Sequence, residues 1–115
     1  MSDCLFCRIA RREIPATVVW ENDEFLAFED IDPKAPVHVL VIPRRHVESI
    51  ADFEGDAAAA GRFVHAALQV ARGCELADPA RGFRLVANTG PEGGQTVFHA
   101  HLHVLGGRRL RWPPG

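Results

Sequence analysis

No apolar run in this chain approaches the roughly eighteen residues that a membrane-spanning helix requires, so a membrane partner is not expected. Cysteine is scarce: three residues in 115, an odd number, which argues against a disulfide framework. Neither sign of charge dominates. Thirteen Lys and Arg face fifteen Asp and Glu, for a net charge of −2, so nothing draws the chain to nucleic acid or an anionic surface. The opening MSDCLFC lacks the basic-then-apolar pattern of a secretory signal. With so few cysteines, a reducing, cytoplasmic location is the expectation. Repeats, low-complexity tracts and internal linkers are absent too. The length suits one domain, residues 1–115, able to bury a core without staples.

What is present reads as a mixed domain. CLFCRIARREI has apolar residues at helical spacing, and Pro15 is expected to end that helix. TVVWEN and FLAFED are strand-like runs parted by Asn22 and Asp23, a hairpin signal. DIDPKAP is a loop, and VHVLVIP a β-branched strand closed by Pro43. Between about Asp56 and Glu75, Ala60, Phe63, Val64, Ala67, Leu68 and Ala71 recur every three or four residues, which predicts the main amphipathic helix. FRLVAN, a glycine-rich loop TGPEGGQ and a last strand TVFHAHLHVL follow, then an irregular tail. The expected fold class is α+β: a mostly antiparallel five-stranded sheet with one long and one short helix.

The last strand poses the functional question. Side chains alternate along a strand, so His99, His101 and His103 share one face, and Ala100, Leu102 and Val104 share the other. A plain polar face does not call for three imidazoles in register. A row of histidines suits either a metal site or a catalytic site, because neutral imidazole is both a ligand and a nucleophile. Gly93 and Gly94, in the loop that runs into this strand, lack Cβ atoms and would let backbone N–H groups approach an anion. Cys4 and Cys7 form a C-x-x-C pair, a spacing that lets two thiolates reach one metal. Their alternative is two small buried hydrophobes.

HAHLHVL fits the histidine triad signature. Together with REIPA, AFEDIDPKAPVHVLVIPRRH, GGQTVFHAHLHVLGGR and the terminal WPPG, the chain resembles the histidine triad (HIT) superfamily, in its nucleotide-binding phosphoramidase branch. The resemblance implies hydrolysis of purine nucleoside 5′-phosphoramidates to nucleoside monophosphate and an amine. It also implies a homodimer in which two sheets join. His101 is then the nucleophile, passing through a nucleotidyl-histidine intermediate. His103 is placed to donate to a phosphate oxygen, and His38 matches a fourth active-site histidine. Asn88, Gly94, Gln95 and Thr96 fall at the phosphate and leaving-group end; position 96 is more often serine in close relatives. Phe6, Ile9, Ile14, Phe28 and Ile31 match apolar residues around the base. Asp30 matches a carboxylate on the ribose hydroxyls.

The resemblance further implies that Cys4 and Cys7 hold a structural Zn2+ with His46 and His99, a closed four-ligand shell with no part in the chemistry. Trp112 would touch the partner subunit near its pocket. Alternatives are a dinucleoside polyphosphate hydrolase using the same nucleophile, a nucleotide-responsive interaction module, and a three-histidine catalytic metal centre built from the triad.

Overall fold

The computed structural model describes residues 4–115. Two runs in the sequence are largely apolar, and they become inner strands of a sheet buried on both faces. These are Phe25–Glu29 (β2), apolar up to the exposed Glu29, and Val37–Pro43 (β3), apolar except for His38. Around them the chain forms a short helix Leu5–Ala10 (α1), strand Val18–Glu21 (β1), a 3-10 turn at Ile50–Phe53, helix Ala57–Gly73 (α2), and strands Phe83–Val86 (β4) and Leu102–Gly106 (β5). The sheet order is β1-β2-β3-β5-β4, antiparallel at every pairing. The expected α+β class therefore holds. At the first hairpin the Asn22 carboxamide oxygen accepts from the N–H groups of Glu24 and Phe25 at 2.9 and 2.7 Å, a local turn that asparagine is suited to make.

Alternation sorts the inner strands onto two faces. Val39 and Val41 of β3, Leu102 and Val104 of β5, and Phe25 and Ala27 of β2 pack with Phe63, Ala66, Ala67, Val70 and Ala71 of α2. The alanines on α2 let the helix lie close to the sheet, and Phe63 stacks on Phe25 with ring centroids 5.3 Å apart. Asp56 caps α2, its carboxylate accepting from the Ala59 N–H. The helix forms where expected, but its buried stripe is Ala59, Phe63, Ala66, Ala67, Val70 and Ala71, which leaves Val64 and Leu68 exposed. The opposite face carries Leu26, Phe28, Leu40 and Ile42, covered by Phe6 and Ile9 of α1. His38 and His103 point to this second face, and there the functional groups collect.

Two boundaries differ from expectation. Helix α1 stops at Ala10, well before Pro15. The Arg12 N–H bonds to the Ile9 carbonyl and the Glu13 N–H to the Arg8 carbonyl, with Arg12 at φ 61°. This is a left-handed helix stop of the kind glycine usually makes; here an arginine takes it, and Arg12 is also paired with Glu21. The last strand is shorter than TVFHAHLHVL. Ladder pairing begins at Leu102, because upstream the chain leaves β3 and the Ala100 N–H bonds instead to the Val47 carbonyl. The backbone still alternates there: Ala100 joins the α2-side core with Leu102 and Val104, while His101 packs edge-on against Phe6 of α1, centroids 5.1 Å apart.

Candidate active site

The three triad imidazoles occupy three different environments. The His101 Nδ1–H donates to the carbonyl oxygen of His99 at 2.7 Å. A carbonyl can only accept, so Nδ1 carries the proton and Nε2 keeps its lone pair. The His99 Nε2–H donates to the Pro43 carbonyl at 2.8 Å, which turns the lone pair of its Nδ1 toward Cys4 and Cys7. His103 faces His38. In the β3–β5 register Leu40 lies opposite His103, so His38, two residues back, is its diagonal neighbour on the same face.

A chain of hydrogen bonds fixes that second pair. The Lys34 backbone N–H donates to His38 Nδ1 at 3.0 Å. His38 must then carry its proton on Nε2, which lies 2.9 Å from His103 Nδ1 and 3.4 Å from Asp30 Oδ2. His103 Nδ1 accepts, which leaves the proton of neutral His103 on Nε2. That atom is buried and has no partner among the described residues, a donor waiting for an acceptor. Burial and the neighbouring His101 and His38 hold the His103 pKa down to about 4. Burial also lowers that of His38, against the pull of Asp30. Both imidazoles are therefore neutral near pH 7, and His103 offers a hydrogen bond rather than a charge.

A cavity of about 290 Å3 opens on these groups, near the lower end of the range for small-ligand sites. Phe6, Ile9, Ile14, Phe28 and Leu40 form its apolar wall, Asp30 and Ile31 one rim, and Thr96, His101 and His103 the polar end. It thus gathers the proposed base and ribose residues with Thr96, His101 and His103, whereas Asn88, Gly94 and Gln95 do not line it. Ile31 is fully exposed at the rim. Asn88 lies on the far side of His103, in a second cavity of about 500 Å3 with Lys34, His38, Arg84 and the chain end, Pro114 and Gly115.

The glycine loop is shaped first by its own backbone. A Cβ on Gly93 would sit 2.3 Å from the Thr89 carbonyl oxygen, and Gly94 has φ +84°, so both positions call for glycine whatever binds there. Gln95 is buried, and its carboxamide is engaged within the protein. It accepts from the Gly90 N–H and donates to the carbonyls of Glu48 and Val97. That side chain clamps the loop to the segment after β3. Trp112 is 80% exposed, with only the Arg84 guanidinium over its ring at 6.0 Å; Arg84 also donates to the Arg111 carbonyl and so holds the tail against β4. Lys34 and Arg84 were not singled out by sequence reasoning. Lys34 acts through its backbone, which no side-chain pattern reveals. Arg84 is a single cation in the short strand FRLV, and nothing in the sequence marks it for a role.

Cys4, Cys7, His46 and His99 converge, their ligand atoms all within 4.8 Å of one another. His99 Nδ1 is 3.2 and 3.5 Å from the two sulfurs, and His46 Nδ1 is 3.4 Å from Cys7 Sγ. A tetrahedral zinc with ordinary Zn–S and Zn–N bonds would set S···N at about 3.6 Å, so the four residues fit such an ion. The Pro43 carbonyl that fixes the His99 tautomer is the outer support such ligands usually have. Triad members do not gather as a three-histidine centre: His99 faces the thiols, His101 the His99 carbonyl and His103 its neighbour His38.

The low pKa of His103 has a consequence for stability. The unfolded chain protonates this imidazole near pH 6.5, whereas the folded chain resists until about pH 4. Stability should therefore be full above pH 6.5 and drain away as pH falls from 6.5 toward 4. Urea unfolding measured across that interval should show the midpoint dropping, with a shallower slope in His103→Asn. An equal slope in both proteins would show that His103 does not carry the effect.

Comparison with known proteins agrees with this geometry. The family model described as "HIT domain" matches residues 11–110. An uncharacterized HIT-like protein of Synechocystis is 50% identical over 114 residues, covering 98% of this chain and 97% of that protein. The adenylylsulfatase HINT1 of Arabidopsis thaliana is 41% identical over 127 residues, covering 99% and 78%. Among solved structures, a HIT family hydrolase from Legionella pneumophila superposes with a TM-score of 0.91 at 47% identity, covering 98% of this chain and all of that one. A histidine triad protein from Clostridium difficile gives 0.89 at 39% identity, covering 96% of each. With its histidine row, its sheet and nearly its whole length matched, the chain belongs to the HIT domain family.

Proposed function

We propose that the chain hydrolyses purine nucleoside 5′-phosphoramidates, with His101 as nucleophile. The observation that carries this reading is the His101 Nδ1–H···O=C hydrogen bond to His99 at 2.7 Å, which leaves the Nε2 lone pair as the reactive one. The base lies against Phe6, Ile9 and Phe28, and Asp30 accepts from the ribose hydroxyls. His101 Nε2 attacks the α-phosphorus as the P–N bond breaks, and the leaving nitrogen takes the electron pair and a proton from solvent, which the attacking water of the second step returns. The His103 Nε2–H donates to a non-bridging oxygen as charge builds there. Water then displaces His101 from phosphorus and releases the monophosphate. The imidazolium formed at His101 is stabilised throughout by the His99 carbonyl.

A second substrate is supported by a specific feature. The cavity beyond His103, the side this reading gives to the leaving group, is lined by Arg84; the Lys34 ammonium on the same wall is paired with Asp32. Arg84 forms no carboxylate pair among the described residues. An anionic leaving group fits that side, and a relative bears the name adenylylsulfatase. The same attack would then cleave adenylyl sulfate at its P–O bond. Turnover of adenosine 5′-phosphoramidate, adenylyl sulfate and a diadenosine polyphosphate should be compared in wild type and His101→Ala. All cleavage should fall by a factor on the order of 10^4 or more in the variant, with nucleotide binding kept. Rates within tenfold of wild type would end the nucleophile assignment.

We further propose that Cys4, Cys7, His46 and His99 hold a structural Zn2+ that pins α1 to the histidine strand. When bound, the ion supplies cross-linking and no chemistry. Purified protein should carry about one zinc per chain, and zinc should leave on acidification as the thiolates protonate. Cys4→Ser with Cys7→Ser should lower the melting temperature. Metal-free protein melting at the same temperature would contradict the site.

The proposed assembly is a homodimer in a reducing, cytoplasmic setting. The exposed indole of Trp112 is apolar surface without a packing partner of its own, and a second copy is the proposed cover. Deleting residues 110–115 should reorder rates across phosphoramidates with different amines, while sedimentation still reports a dimer. An unchanged ranking would remove the tail from leaving-group selection.

A further inference from the structure

Cys4 and Cys7 stand one turn apart at the start of α1, Cys4 as its N-cap. Both thiols are free. The Cys7 backbone N–H donates to Cys4 Sγ at 3.3 Å, which draws the first sulfur over the turn toward the second. His99 Nδ1 lies 3.2 Å from Cys4 Sγ and 3.5 Å from Cys7 Sγ, and the two sulfurs are within 4.8 Å of each other. C-x-x-C is the spacing of reversible disulfides, and sulfurs this near are joined by rotation of the side chains.

Their exposure differs. Cys7 is buried, and Cys4 is partly open to solvent. An accessible sulfur beside a second thiol is the arrangement in which a peroxide meets the first and the second resolves it. Cys74 packs on the opposite face of the sheet from Cys4 and takes no part.

We propose that Cys4 and Cys7 form a reversible intramolecular disulfide when exposed to hydrogen peroxide, and that this oxidation loosens the apolar wall of the cavity of about 290 Å3. Cys4 Sγ, as thiolate, attacks one peroxide oxygen. The O–O bond breaks, and the hydroxide released takes the thiol's proton to become water, leaving a sulfenic acid. Cys7 Sγ gives up its proton and attacks the Cys4 sulfur; the S–O bond breaks and a second water leaves. Two thiols and one peroxide give one disulfide and two waters, and a dithiol reverses the change. In a reducing compartment a disulfide of this kind is transient.

The wall responds because the sulfurs hold α1 to the histidine strand. Phe6, between the two cysteines in sequence, packs edge-on against His99 and His101 and lines the cavity with Ile9. A disulfide turns the sulfurs on each other and takes from His99 and His46 their partners at 3.2 to 3.5 Å. It also excludes zinc, which needs the thiolates. The disulfide does not depend on the zinc reading; its effect on nucleotide rests on the base placement proposed above.

The full chain as purified is treated with hydrogen peroxide, alkylated and digested with trypsin for mass spectrometry. Cys4 and Cys7 share the peptide MSDCLFCR, and Cys74 falls in another. The first peptide should lose two hydrogens and resist alkylation, in wild type and in Cys74→Ser alike, and dithiothreitol should restore it. Cysteines that still alkylate fully, oxidation only to sulfinic or sulfonic acid, or a cross-link to a second chain would overturn the redox site. AMP affinity by calorimetry should fall at least about fivefold on oxidation, return with dithiothreitol, and ignore peroxide in Cys4→Ser with Cys7→Ser. An unchanged affinity once the disulfide has formed would overturn the coupling to the cavity. Reduced protein that binds no AMP would remove the nucleotide reading and the coupling with it, while the disulfide, read by mass, stands.

Discussion

One hydrogen bond decides what the histidine row can do. The carbonyl of His99 accepts from His101 Nδ1 at 2.7 Å, and by doing so chooses the tautomer of the imidazole that faces the cavity. A neutral histidine without that partner would divide its proton between two nitrogens and present the wrong one part of the time. The acceptor is a backbone oxygen, fixed by the fold. Its position depends on the side chain of the same residue, which is fully buried between Pro43 and the two thiols. Residue 99 therefore does two jobs. Its imidazole ties α1 to the strand, and its carbonyl aims the next histidine, two residues on. Phe6 of α1 packs edge-on against both rings, so the apolar cavity wall, the thiol cluster and the His101 imidazole form one packed unit.

A second relay works from the other direction. The Lys34 N–H, His38, His103 and finally an unpartnered N–H at His103 Nε2 form a line in which each proton position dictates the next. Burial keeps the imidazoles neutral, which preserves the line. Asp30 sits beside it, a carboxylate close enough to polarise His38. Both relays depend on the central strand β3 being buried on both faces. It supplies Val39 and Val41 to the α2 core and His38 to the site from alternate residues of one run.

Much of this was legible in the sequence, and the reason is periodicity. The alternation of HAHLHVL places three imidazoles opposite a core face, and the spacing of alanines and Phe63 locates α2. Contacts between distant segments were not legible. Gln95 sits among the glycines of an apparent anion loop, yet its carboxamide bonds to Glu48, 47 residues away. The end of α1 was assigned to Pro15, because an arginine in a left-handed stop leaves no compositional mark. The strand was drawn too long because alternation continues past the point where pairing ends. Lys34 was passed over because its backbone, not its ammonium group, sets the His38 tautomer.

The central claim is the protonation state of His101, and it is directly observable. A long-range nitrogen–proton NMR correlation spectrum of the histidines at neutral pH distinguishes Nδ1–H from Nε2–H imidazole. His101 is expected as the Nδ1–H tautomer, with Nε2 unprotonated, and His103 as the Nε2–H tautomer. An Nε2–H tautomer at His101, or a doubly protonated ring, would contradict the account.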